Sequence, residues 1–146
     1  MSTKVKMDKL SITVLVTFGF LFLGFSLLPM ALSHKNVKVA IQEQSVKIKS
    51  LYGRSIEYSN IKEVALASKL PSSLRRKKAI SVNGIRKGLY SNNENDIIYI
   101  YLDRNYSLPF VKVVELDSSL TYFSIGTNQE NKNMQTLIKN QIESFN

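Results

Sequence analysis

The sequence predicts a mainly β fold closed by one C-terminal helix and preceded by an N-terminal transmembrane helix. Three observations predict it. Apolar residues recur with a period of two from Val46 onward, the period becomes helical after Thr127, and residues 10–33 run for 24 positions without a charge. A period of two places alternate side chains on opposite faces of a strand, whereas a helix repeats every 3.6 residues.

The uncharged run is the clearest element. At about 1.5 Å per residue its 24 residues span about 36 Å, more than the roughly 30 Å hydrocarbon core of a bilayer. Its apolar residues surround the helix instead of forming one stripe, so an interfacial amphipathic helix is excluded. Gly19 and Gly24 are five apart, which misses the four-residue spacing of a GxxxG dimer face. Residues 1–9 form a basic tail with Lys4, Lys6 and Lys9, and Ala31-Leu-Ser33 after Pro29 resembles a signal-peptidase site. A cleaved signal has an apolar stretch of roughly 7–15 residues. Here that stretch runs 19 residues before Pro29, so length favours an uncleaved anchor while the cleaved form stays open. Three lysines precede the segment and three (Lys35, Lys38, Lys47) follow it, so the positive-inside bias is even. The short tail, easily retained, tilts the expectation toward a single-pass cell-membrane protein with its domain on the extracytoplasmic side.

Residues 34–45 are polar and read as a connector or a first strand, and residues 46–146 as the folded domain. Val46, Ile48 and Ser50 alternate with Lys47, Lys49 and Leu51, and Tyr52-Gly-Arg54 turns the chain. Short strands follow at 55–58 and 61–66. After the basic run Arg75–Lys78, Ala79-Ile-Ser-Val82 leads into an Asn83-Gly84 turn, a pair suited to the positive φ of a tight hairpin. Gly88 is assigned to turns as well. Residues 96–102, 109–116 and 120–125 complete about seven strands, the first of these β-branched and aromatic throughout. Thr127-Asn-Gln-Glu130 is a capping box, and Met134, Leu137, Ile138, Gln141, Ile142 and Phe145 recur at helical spacing. An amphipathic helix from 128 to about 144 follows, placed to plug the open end of a bent antiparallel sheet.

Composition narrows the chemistry. There is no cysteine and one histidine, His34, so disulfides, thiolate metal sites and the usual nucleophile–base pairs cannot be built. His34 has no acidic or histidine cluster near it for a metal. Glu94, Asp96 and Asp103 flank a strand where solubilising charges normally fall. No phosphate-binding glycine loop or dinucleotide fingerprint is present. The sequence therefore predicts no enzyme, no cofactor and no metal. Of the net charge of +9, residues 1–33 hold +2. Seven cations occupy one acid-free stretch: Lys69, Arg75, Arg76, Lys77, Lys78, Arg86 and Lys87. This basic loop at 69–87 is the candidate anionic-partner patch. The aromatic residues Tyr99, Tyr101, Tyr106, Phe110, Tyr122 and Phe123 lie in or beside strands, where cross-strand packing is their expected role.

Three segments make the domain resemble the bacterial pleckstrin-homology (PH) family of the membrane-anchored type. Residues 51–64 are similar to that family's opening, a glycine turn followed by Ile-x-Tyr-x-x-Ile-x-x-Val. Residues 82–90 are similar to its Gly-rich central hairpin, and residues 120–125 to its final strand before the capped helix. The resemblance covers residues 45–146 and implies a PH-like barrel of about seven antiparallel strands capped by the helix. It implies little about activity, because the fold hosts lipid, peptide and self-association sites, including rings. The phosphoinositide pattern of eukaryotic PH domains is not implied, since the matching turn at 52–54 has one basic residue.

The resulting expectation is a membrane-tethered interaction or assembly module without catalysis. Its partners would be a second copy of the chain, an anionic lipid or an acidic protein, with nucleic acid not expected. Anionic-lipid recognition through the basic loop is one alternative. A secreted or periplasmic binding domain follows if the N-terminal segment is cleaved, and a small hydrolase would need acids converging in a pocket.

Overall fold

The computed structural model describes residues 36–145. The expected membrane segment at 10–33, the basic tail and His34 lie outside the described residues. No helix among the described residues is long and apolar enough to cross a membrane.

The described chain is mainly β with one C-terminal helix. In order come β1 (Lys38–Ile41), β2 (Ser45–Lys49), β3 (Arg54–Glu57), a 3₁₀ turn (Tyr58–Asn60), β4 (Ile61–Ala67) and β5 (Arg75–Val82). They are followed by β6 (Ile85–Ser91), β7 (Ile97–Leu102), β8 (Phe110–Glu115), β9 (Leu120–Phe123) and helix α1 (Asn128–Phe145). Nine strands stand where about seven were expected. One addition is β1, in the stretch that the sequence left open between connector and strand. Its Val39 and Ala40 pair with Ile48 and Lys47 of β2. A second difference is that Arg75–Lys78 is not loop but the first half of β5, paired from Arg75↔Ser91 onward with a bulge between Arg76 and Lys78. β5 is an edge strand, and consecutive cations suit an edge that faces water.

The strands form two sheets. One is the antiparallel sheet β1-β2-β3; the other has the order β4-β8-β9-β7-β6-β5. The expectation of uniformly antiparallel pairing fails at β7 and β9, which run parallel from Ile98↔Leu120 to Tyr101↔Phe123. The β8–β9 hairpin inserts between β4 and β7, so β9 meets a strand that precedes it by two. The chain also leaves β4 at one edge of this sheet and returns as β5 at the other. Five strand spacings of about 4.8 Å would separate those edges by about 24 Å in a flat sheet. The eight steps from Ala67 to Arg75 reach about 29 Å at full extension. The connector, turned at Ser73 (φ 57), is therefore long enough to cross the sheet, and it packs Leu70 and Leu74 against that face.

Both faces of the six-stranded sheet are buried. On one, Tyr101, Val111, Val113 and Phe123 pack with Val46, Ile48 and Ile56 of the small sheet and Ile138 of α1. On the other, Tyr90, Ile98, Ile100, Leu102, Phe110 and Tyr122 pack with Leu70 and Leu74 of the β4–β5 connector. The period of two in β7 therefore serves two cores instead of one core and solvent, as expected for a central strand. α1 lies against β4, β8 and the 3₁₀ turn. Met134 and Ile142 join the core beside Ile138, while Leu137, expected on the same side, is half exposed.

Candidate functional site

Hairpin β5–β6 is formed by the Asn83-Gly84 turn, whose φ values of 47 and 82 fit the primed turn that matches strand twist. Gly88 is not a turn residue. It sits within β6 opposite Ala79 at φ 120, and a side chain there would strike the Lys78 carbonyl and the Tyr52 ring.

Of the seven cations predicted for the patch, Lys69, Arg75, Arg76, Lys77, Lys78 and Arg86 are exposed. Lys87 is fully buried and pairs with Asp103. It therefore does not belong to an exposed patch. The reason is periodicity: Ile85, Lys87 and Leu89 share the inward face of β6, and a buried ammonium is retained only with a carboxylate beside it. The other oxygen of Asp103 accepts the Val37 amide at 2.7 Å, so one carboxylate holds both β6 and the start of β1.

The exposed cations divide between the faces of the hairpin. Directly opposed residues in an antiparallel pair share a face. Arg76 stands opposite Tyr90 and Arg86 opposite Ser81, whereas Arg75 stands opposite Ser91 and Lys78 opposite Leu89. The Lys78 ammonium lies 5.8 Å from the Tyr52 ring centroid on that second face. On the first face, Arg76, Ser81, Arg86 and Tyr90 line a cavity of ≈ 490 Å³ with Ser73 and Leu74 of the β4–β5 connector. The Tyr90 hydroxyl donates to the Ile80 carbonyl at 2.9 Å. Burial raises its pKa, opposed by the charge of Arg86, a hydrogen bond with Ser81 and the charge of Arg76.

Other candidate groups are committed to structure. Arg54, the one basic residue of the first turn, makes two 2.8 Å bonds to Glu115 and lies 4.0 Å above the Tyr99 ring. This fork ties β3 of the small sheet to β8 of the large one. Glu94 and Asp96 belong to a loop built on Asn92, whose amide oxygen accepts both their backbone N–H groups at 3.0 Å. Among the described residues no group of three or more His, Cys, Asp or Glu could hold a metal. Tyr101, Phe110, Tyr122 and Phe123 are core residues; Tyr106 is 41% exposed and tilts against Phe110 at 5.4 Å. Burial pushes the Tyr101 phenol well above its ordinary pKa, and its hydroxyl donates to the Tyr52 carbonyl at 2.8 Å.

No family model matches the chain, and no curated protein or solved structure matches it either.

Proposed function

We propose that the protein is a non-catalytic interaction module, tethered to a membrane by residues 10–33, that uses hairpin β5–β6 to contact an anionic membrane surface. The observation that carries this reading is the cluster of exposed cations on one hairpin, Arg75, Arg76, Lys77, Lys78 and Arg86, with no acid in its sequence. Each basic residue close to an anionic leaflet contributes about 1 kcal/mol. Self-association is disfavoured along β5, because four successive cations on an unpaired edge repel the same edge of another copy. A PH-like identity belongs to the same proposal. Two sheets with a C-terminal helix support it, while nine strands and the parallel β7–β9 pair depart from a seven-stranded antiparallel barrel. The extracytoplasmic placement of the domain is likewise part of the proposal.

The test is flotation of the full-length chain, held in zwitterionic nanodiscs, with vesicles containing phosphatidylglycerol. Replacing Arg75, Arg76, Lys77 and Lys78 together by Ser should weaken binding by about two to three orders of magnitude, given four contributions of that size. Unchanged flotation ends the reading.

A further inference from the structure

The cavity beside Tyr90 has a lining that diffuse surface charge does not require. Arg86 and Tyr90 lie four residues apart on β6, about 13 Å along the strand, and Arg76 enters from β5 directly opposite Tyr90. One guanidinium thus comes from each strand toward the same cavity. The charges of Arg86 and Arg76 both oppose the rise in the Tyr90 pKa. The hydroxyl itself is occupied by the Ile80 carbonyl, so Tyr90 serves as a fixed wall. Leu74 closes the apolar side against the same core cluster as Tyr90, and Ser73 and Ser81 add hydroxyl donors. No carboxylate lines the cavity, and the ion pairs among the described residues involve neither Arg76 nor Arg86.

We infer that the cleft between the β4–β5 connector and hairpin β5–β6 seats one phosphate group, gripped by Arg76 and Arg86 from two strands. The inference rests on the proposed role of the hairpin as the contact surface and names what that surface selects. A guanidinium fork satisfies the two coplanar oxygens of a carboxylate by itself. Two forks arriving from different strands, with hydroxyls between them, match instead the tetrahedral oxygens of a phosphate. That phosphate is either the phosphodiester of a lipid headgroup or a soluble phosphate ester.

The experiment follows the arginine Nε–Hε resonances of the full-length chain in zwitterionic nanodiscs. The probes are inorganic phosphate, phosphatidylglycerol doped into the discs, and acetate. Saturable shifts at Arg76 and Arg86 are expected with phosphate, with the doped lipid, or with both. A response to phosphate identifies a soluble ligand, and a response to the lipid alone identifies a headgroup. Arg76→Gln and Arg86→Gln should each weaken binding at least about twentyfold, while Arg75→Gln and Lys77→Gln, equal in charge but outside the cleft, should weaken it no more than about fivefold, the contribution of one surface cation. All four sites are exposed, and amide spectra report that each variant keeps the fold. Equal weakening by all four variants overturns the cleft and leaves the basic surface standing. Acetate binding as tightly as phosphate also overturns it, in favour of a carboxylate ligand. Absence of any anion response across the hairpin overturns both the cleft and the contact surface.

Discussion

Asn131 ties the start of α1 to the β7–β8 and β9–α1 connections. It is fully buried in the first turn of α1. Its amide oxygen accepts the Ile125 N–H at 3.0 Å, and its amide nitrogen lies within 3.1 Å of Ser107 O, Pro109 O and Ser124 Oγ. Asn131→Ala removes the side-chain partner of the half-buried Ile125 N–H and Pro109 carbonyl, while Ser124 Oγ still donates to the Ser107 carbonyl at 3.3 Å, and should cost about 2–3 kcal/mol in urea unfolding. A loss below about 1 kcal/mol would show that water takes over the network. The Arg54–Glu115 fork poses a different question, because its Coulomb gain opposes the cost of desolvating both ions. With Glu115 buried and Arg54 partly open to solvent, Arg54→Met alone should cost about 2–3 kcal/mol by stranding the carboxylate. Arg54→Met combined with Glu115→Leu should recover most of that loss. A double variant as unstable as the sum of the singles would make the pair a net source of stability. Asn131 and the buried cation Lys87 left traces in the sequence, whereas the Arg54–Glu115 fork left none. Asn131 stands three residues before Met134 and seven before Ile138, on the helix's apolar stripe, and Lys87 alternates with Ile85 and Leu89. Neither trace names the partner, since Glu115 and Asp103 meet their cations only through the sheet order.

At the scale of elements, local signals were legible and lateral ones were not. The capping box at Thr127 forms as spaced: Glu130 Oε2 accepts the Thr127 N–H at 2.7 Å, and Thr127 Oγ1 accepts the Glu130 N–H at 3.3 Å. Hydrogen bonds from the backbone and side chain of Thr127 hold the Glu130 carboxyl below the ordinary glutamate value. A depressed folded-state pKa gives stability that is present above the unfolded value and is lost as pH falls through the folded one. Glu130→Ala should therefore lower the urea midpoint at neutral pH. The gap from the parent chain should narrow below about pH 4.3, the ordinary glutamate value, and close once the parent's carboxyl is protonated. A gap constant across that range would mean that Glu130 acts through packing. Hairpin β5–β6 was legible from Asn83-Gly84, which needs only its own backbone. That β5 begins at Arg75 was not, because four consecutive cations carry no period, and only pairing with β6 makes them a strand.

For the whole molecule, charge is distributed so that meaning depends on location. The chain carries +9, yet Lys87 and Arg54 are consumed by Asp103 and Glu115, which leaves the hairpin as the concentrated surface charge. Sheet order explains why this hairpin stands apart: β5 is the last strand of β4-β8-β9-β7-β6-β5, and no other strand of that sheet covers its outer edge. That order could not be read from strand periodicity, because alternation fixes the faces of a strand and leaves its neighbours open. A basic edge contacts a leaflet only on its own side of the membrane, beyond which charge is screened within about 8–10 Å at physiological ionic strength. For the proposed membrane-tethered module, the side is therefore the decisive whole-molecule property. With the domain on the extracytoplasmic face, protease added to intact cells should cut the exposed segments at 68–69, 72–73 and 93–95, and permeabilisation should add nothing. Cleavage appearing only after permeabilisation would place the domain inside. The phosphate-bearing partner of Arg76 and Arg86 would then have to be sought on the cytoplasmic leaflet.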